Sequence, residues 1–96
     1  MGKKEILNKV INVFLENARD QIKTLRQAII DSDPDVVKKE AHTIKGGAAN
    51  ITANELSKIA FELENIGKSG ELKGAADVMD RFEKEFSSLE VYLEDK

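Results

Sequence analysis

Apolar residues recur along this chain in steps of three and four, the spacing that lines one side of an α-helix. Leu7, Ile11, Phe14, Ala18, Ile22, Leu25 and Ile29 keep that step through a stretch with no interior Gly or Pro, which predicts a long first helix over residues 3–31. Ser32-Asp33-Pro34-Asp35 then marks a boundary. Asp33 can cap free backbone amides, Pro34 suits the first helical position, and Asp35 favours the positive end of a helix dipole. Val37, Ala41, Ile44, Ala48 and Ile51 form the apolar stripe of a second helix over 34–50. Thr52-Ala53-Asn54-Glu55 has the form of a capping box, with Thr52 as the cap, Glu55 reaching back, and Ile51 and Leu56 placed as a hydrophobic staple. Leu56, Ile59, Ala60, Leu63 and Ile66 predict a third helix over 53–66, with Gly67 as its left-handed terminator. Leu72, Ala75, Met79, Phe82, Phe86, Leu89 and Leu93 follow a near-heptad step and predict a fourth helix over 72–94.

Strand-type alternation of Val, Ile, Thr and aromatics is missing, and the connections are short. The pattern therefore predicts an all-α fold, an antiparallel up-down-up-down four-helix bundle with a long first helix, as one domain over 1–96. With 96 residues, 41% of them hydrophobic, the chain can build one modest core and has no room for an independent nucleotide-binding domain. The Phe82 and Phe86 pair reads as part of that core, and the Glu-rich last helix as a solvated exterior.

Charge and rare residues narrow the chemistry. Fifteen Lys and Arg against 18 Asp and Glu give a net charge of -3, which offers no global attraction to nucleic acid or to an anionic membrane. There is no cysteine and one histidine, so neither a disulfide framework nor a zinc centre built on Cys or His is available. Charges interrupt the apolar residues of the N-terminal segment every few positions, which excludes a secretory signal and a membrane span there. A cytoplasmic, monomeric protein without bound metal or cofactor is the expectation.

The single histidine, His42, lies just off the buried stripe of the second helix. Lys38, His42, Lys45, Gly46 and Ala49 stand three, four or seven residues apart and make a second stripe that is basic, small and solvent-facing. A glycine within a helix costs roughly 1 kcal/mol relative to alanine, so the adjacent Gly46 and Gly47 call for a reason. One is clearance: an imidazole that must enter another protein's pocket needs open space around its distal nitrogen. Lys45, one turn away, can offset charge on a phosphoryl group, while Lys38 and Lys39 add local positive potential. A free imidazole is also substantially neutral near neutral pH, which leaves one ring nitrogen able to act as a nucleophile. A plainer reading stands beside this one. His42 can be an ordinary surface histidine, the Gly pair can serve close helix packing, and the lysines can be a solvated face with Glu40 as counter-charge.

The run Ala41-His42-Thr43-Ile44-Lys45-Gly46-Gly47-Ala48-Ala49-Asn50-Ile51, with Leu56 and Leu63-Glu64 after it, closely resembles the signature of histidine-containing phosphotransfer (HPt) domains. Weaker similarity runs through Phe14-Leu15-Glu16 and Gly70-Glu71-Leu72. The resemblance implies a phosphorelay intermediate. In it, His42 takes a phosphoryl group on its distal nitrogen from a receiver-domain aspartate or a histidine kinase and passes it to another receiver. Lys45 and Gly46 match the family positions around the phosphoryl group, and the magnesium of the transfer is expected in the partner receiver. Partner docking is expected over Lys38, Lys39, Gly47, Ala49 and Phe61. Many family members have glycine where this chain has Thr52, a departure that the capping box would explain.

Glu64, 22 residues after His42, matches the family position that hydrogen-bonds the other ring nitrogen. The bundle geometry points to it as well. A turn near Ile51 and Thr52 brings His42 opposite Ala60 and Phe61, and a side chain one turn further on leans back toward the level of His42. The alternative for Glu64 is an exposed helix charge. Two rival functions remain at this point. A kinase dimerisation hairpin normally has Glu after its histidine and a proline shortly beyond, unlike Thr43 and its surroundings; a non-catalytic interaction bundle would leave His42 without chemistry.

Overall fold

The structure, a computed structural model, describes residues 3–94, so the outermost two residues at each end of the expected single domain lie outside it. Four helices follow in order: α1 (Lys3–Ile30), α2 (Pro34–Asn50), α3 (Asn54–Ser69) and α4 (Ala75–Glu94). Among the described residues there is no strand, and no helix is long and apolar enough to cross a membrane.

Each helix packs on its neighbours in the sequence, and α1 closes on α4, while the diagonal pairs keep their backbones further apart. Cross-helix contacts show the directions. Arg19 pairs with Glu90 at 2.7 Å whereas Arg26 pairs with Glu83, so α4 runs backward as α1 advances. Arg81 to Glu62 joins α4 to α3, and the Ser57 hydroxyl donates to the Lys45 carbonyl at 3.1 Å between α3 and α2. The result is an up-down-up-down bundle in which one chain closes its own core. Phe82, Leu25, Ile44, Leu56, Leu63, Met79 and Val37 are fully buried at its centre, drawn from all four helices.

Departures from the sequence pattern concern ends and turns. Leu7 was expected in the core stripe of α1 but is 55% exposed, and Leu15 is buried instead. The register explains this. Phe14 of α1 already faces Gly47, three residues before α2 ends, so the first turns of α1 run past the end of α2.

The third helix does not stop at residue 66. Gly67 lies inside it, buried, where an added Cβ would stand 2.6 Å from the backbone nitrogen of Lys38. It is a close-approach glycine between α2 and α3, and the terminator is Gly70, at φ 81°. The fourth helix begins at Ala75 rather than Leu72; Leu72 still packs on the core from the preceding loop.

Asp33 caps α2 as expected, its side chain accepting from the Val36 amide at 3.3 Å, with Pro34 opening the helix. Thr52 does not cap α3. The cap is Ala53, without a side-chain hydrogen bond, and Thr52 has a left-handed φ of 59°. The Thr52 and Ala53 amides donate back to the Ala49 and Ala48 carbonyls at 3.1 and 2.9 Å, which makes Thr52 the left-handed residue of a Schellman ending to α2. Ser32, at φ 54°, ends α1 the same way.

Candidate functional site

Ala41 and Ile44 are locked into the core, and that fixes the rotation of α2. The imidazole of His42, between them in sequence, is turned outward, its side chain 66% exposed. Lys38, Lys39, Gly46 and Ala49 are exposed on the same outer side, and Lys45 is partly covered. Around Gly46 the space is open: nothing lies within 4 Å of where a Cβ would stand. Gly47 differs, since a Cβ there would meet the Phe14 ring at 2.9 Å. The two glycines of the pair thus differ in surroundings: Gly46 faces open space one turn after His42, and Gly47 lets α1 approach α2.

From α3 comes the one buried charged side chain among the described residues, Glu64, 3% exposed. An ionised carboxylate out of water is costly unless paired and hydrogen-bonded. Glu64 is paired three times. Its Oε1 accepts from Lys45 Nζ at 2.6 Å, its Oε2 stands 2.9 Å from His42 Nδ1, and Lys68 Nζ is 3.7 Å from Oε2. The Lys45 hydrogen bond chiefly holds the Glu64 carboxyl below the usual carboxylate range; burial works against this, and the His42 bond with the charges of Lys45 and Lys68 adds to it. An ionised carboxylate can only accept, so the proton between Glu64 and His42 belongs to Nδ1. In the neutral ring Nε2 is then the nitrogen with a free lone pair, and among the described residues no hydrogen bond is made to it.

Lys38, Lys39, Thr43 and Lys68 line a shallow depression with His42 and Glu64. Lys68 escaped the sequence reading because the third helix was expected to end at residue 66. In the longer α3 it follows Glu64 by one helical turn, and the antiparallel count that sets His42 against Glu64 sets Lys38 against Lys68. Phe61, 48% exposed, carries the Lys45 ammonium 4.9 Å from its ring centroid. A second depression, between α1 and α2, is lined by Val10, Val13, Phe14, Asn17, Thr43 and Gly47 among others, and Thr43 borders both. Ala49 lines neither. Among the described residues no three side chains of the His, Cys, Asp or Glu type gather in a group able to hold a metal ion.

Comparison with known proteins follows the same lines. The family model described as Hpt domain matches residues 9–92. Among solved structures, the crystal structure of histidine-containing phosphotransfer protein B from Pseudomonas aeruginosa PAO1 is similar at a TM-score of 0.86 and 26% identity, over 90% of this chain and 75% of that one. Among curated protein sequences none matches.

Proposed function

The chain belongs to the Hpt domain family and serves as a phosphorelay intermediate, and on that premise we propose that His42 is the residue that carries the phosphoryl group. The observation that carries this reading is the split between the two ring nitrogens: Nδ1 is held 2.9 Å from Glu64 while the side chain stays 66% exposed. In transfer, the Nε2 lone pair attacks phosphorus in line with the bond to the donor oxygen. That bond breaks and its electron pair leaves on the carboxylate of the donor aspartate. Nδ1 keeps its proton throughout, so positive charge develops on the ring beside the Glu64 carboxylate, which stabilises it electrostatically. Return to a second receiver aspartate is the same step reversed.

Lys45 and Lys68 bracket this geometry from α2 and α3, and Lys38 adds charge along the same depression. They offset the roughly two negative charges of the phosphoryl group. Gly46 leaves the approach open. Phosphorelay partners of the family are receiver domains or kinases. Here a receiver docks over the His42 stripe, from Lys38, Lys39, Ala49 and Phe61 toward the α1–α2 depression where Gly47 lies, and supplies the magnesium in its own acidic pocket. This chain contributes the nucleophile and the docking surface, with no nucleotide or metal site. It acts as one copy in the cytoplasm without contacting nucleic acid or membrane.

Incubation with a phosphorylated receiver tests the reading. An acid-labile, base-stable label on the chain is expected, and it should vanish in His42→Ala. A label that survives that substitution would place the chemistry elsewhere.

A further inference from the structure

Among the described residues, Phe61 is the one large apolar side chain of α2 and α3 that stays exposed, 48% of it open to solvent. Exposure alone would make it a contact for a partner. Its ring, however, already has an occupant within the chain. Lys45 Nζ lies 4.9 Å from the ring centroid, inside the range where an ammonium is attracted to an aromatic face, and the same nitrogen donates to Glu64 Oε1 at 2.6 Å. Phe61 and Glu64 are three residues apart on α3, so they meet Lys45 from one helix face.

We infer that Phe61 is a positioning residue for phosphoryl transfer, holding the Lys45 ammonium beside His42 so that it can exchange the Glu64 carboxylate for a phosphoryl oxygen. This rests on the proposed role of His42. An arriving phosphoryl group carries about twice the charge of a carboxylate and competes with Glu64 for Lys45. A flexible lysine released from its carboxylate would otherwise spread over many rotamers. The ring face attracts the ammonium without bearing charge, so it restrains Lys45 without competing with the phosphoryl group for it. Lys58, the nearest cation along α3, pairs with Glu55 at 3.5 Å and does not share this contact.

Phosphoramidate separates this role from partner docking, because it phosphorylates histidine without a receiver. Nε2 attacks its phosphorus, the P–N bond breaks, and ammonia leaves from the amino group that was protonated in the donor. The initial rate of His42 labelling should fall about two- to fivefold in Phe61→Leu, the size of a surface cation–π contact, and return in Phe61→Tyr. In a Lys45→Gln background, Phe61→Leu should change nothing further, since the ring acts only through the ammonium. Equal losses in both backgrounds, or a loss seen only when a receiver is the donor, overturns the inference. In the unphosphorylated protein the Lys45 Hε protons should show an upfield ring-current shift that Phe61→Leu abolishes, and an unaltered shift overturns the contact itself. Failure of the wild-type chain to take any label instead overturns the phosphoryl-carrying role of His42, a different result from any of these.

Discussion

Glu64 Oε2 lies 2.9 Å from Nδ1 of His42, and the side chain that makes this contact is 4% exposed while the imidazole above it is mostly exposed. If His42 carries the phosphoryl group, as proposed, the buried partner selects which nitrogen of the exposed ring reacts. Glu64→Ala should slow labelling of His42 by about ten- to a hundredfold, the scale of losing a carboxylate that orients a metal-ligating histidine. Glu64→Gln, which can still accept from Nδ1 but carries no charge, should fall between. Labelling rates equal to wild type in both variants would remove Glu64 from the mechanism.

The same carboxylate links stability to pH. Its folded pKa is lowered, chiefly by Lys45, so its contribution is fully present above the unfolded carboxylate value and is lost as pH falls through the folded value. Glu64→Gln should therefore cost about 1–3 kcal/mol near pH 7, the worth of charged hydrogen bonds to a buried group. In acid, below both values, the wild type and the variant should converge. Denaturant titrations at both pH values check this, and a gap that persists in acid would show that packing, not charge, made the difference.

Two helical glycines should respond oppositely to alanine. Gly46→Ala adds a methyl to open space and a better helix former, so stability should rise by about 0.5–1 kcal/mol while transfer from a receiver slows. Gly67→Ala drives a Cβ to within 2.6 Å of the Lys38 backbone and forces α2 and α3 apart at the level of the site. Overpacking of that kind should cost about 1–3 kcal/mol or more. Melting curves of the two variants moving in the same direction would contradict the assignment of separate roles.

The contrast between these glycines also marks how far the sequence could be read. The apolar steps that place Ala18, Leu25, Ile44 and Phe82 reflect a repeat that any packed helix must obey, and all four are buried. The outward face of His42 follows from the same wheel, and Glu64 from counting back through one antiparallel turn. What escaped depends on the neighbour rather than on the helix. A glycine near a helix end looks alike whether it ends the helix, as Gly70 does, or admits another backbone, as Gly67 does. Leu7 keeps the period yet faces solvent because α1 runs on past the end of α2. Lys68 gains its meaning only once α3 is seen to continue through Ser69.

Thr52 was misread for a related reason: Thr-x-x-Glu satisfies a capping box, but a Schellman ending of the preceding helix claims the residue first. A β-branched residue at φ 59° is strained, by roughly 1–2 kcal/mol relative to a right-handed conformation. Glycine escapes that strain and gives back part of the gain through its freer unfolded chain. Thr52→Gly should therefore stabilise the bundle by about 0.5–1 kcal/mol, with labelling of His42 by phosphoramidate unaffected. A lower melting temperature would mean that the Thr52 hydroxyl, which donates to the Ile51 carbonyl at 2.6 Å, outweighs the strain.

On the proposed docking surface, the depression between α1 and α2 is an apolar foothold for a receiver beside His42. Val10 and Val13 are about half exposed there, and Thr43, the residue after His42, forms part of its wall. On the proposed role of His42, a receiver that brings its aspartate to Nε2 also covers the ground beside Thr43. An aspartate at position 13 would present a carboxylate to the docked partner, and its desolvation adds to the loss of the apolar contact. Val13→Asp should raise the receiver concentration needed for half-maximal transfer by about tenfold, equivalent to roughly 1.4 kcal/mol, while the rate at saturating receiver stays close to wild type. Titration of transfer rate against receiver concentration separates the two quantities. A loss confined to the saturating rate would mean that Val13 acts on the chemistry, and an unchanged midpoint would move the docking surface toward α3.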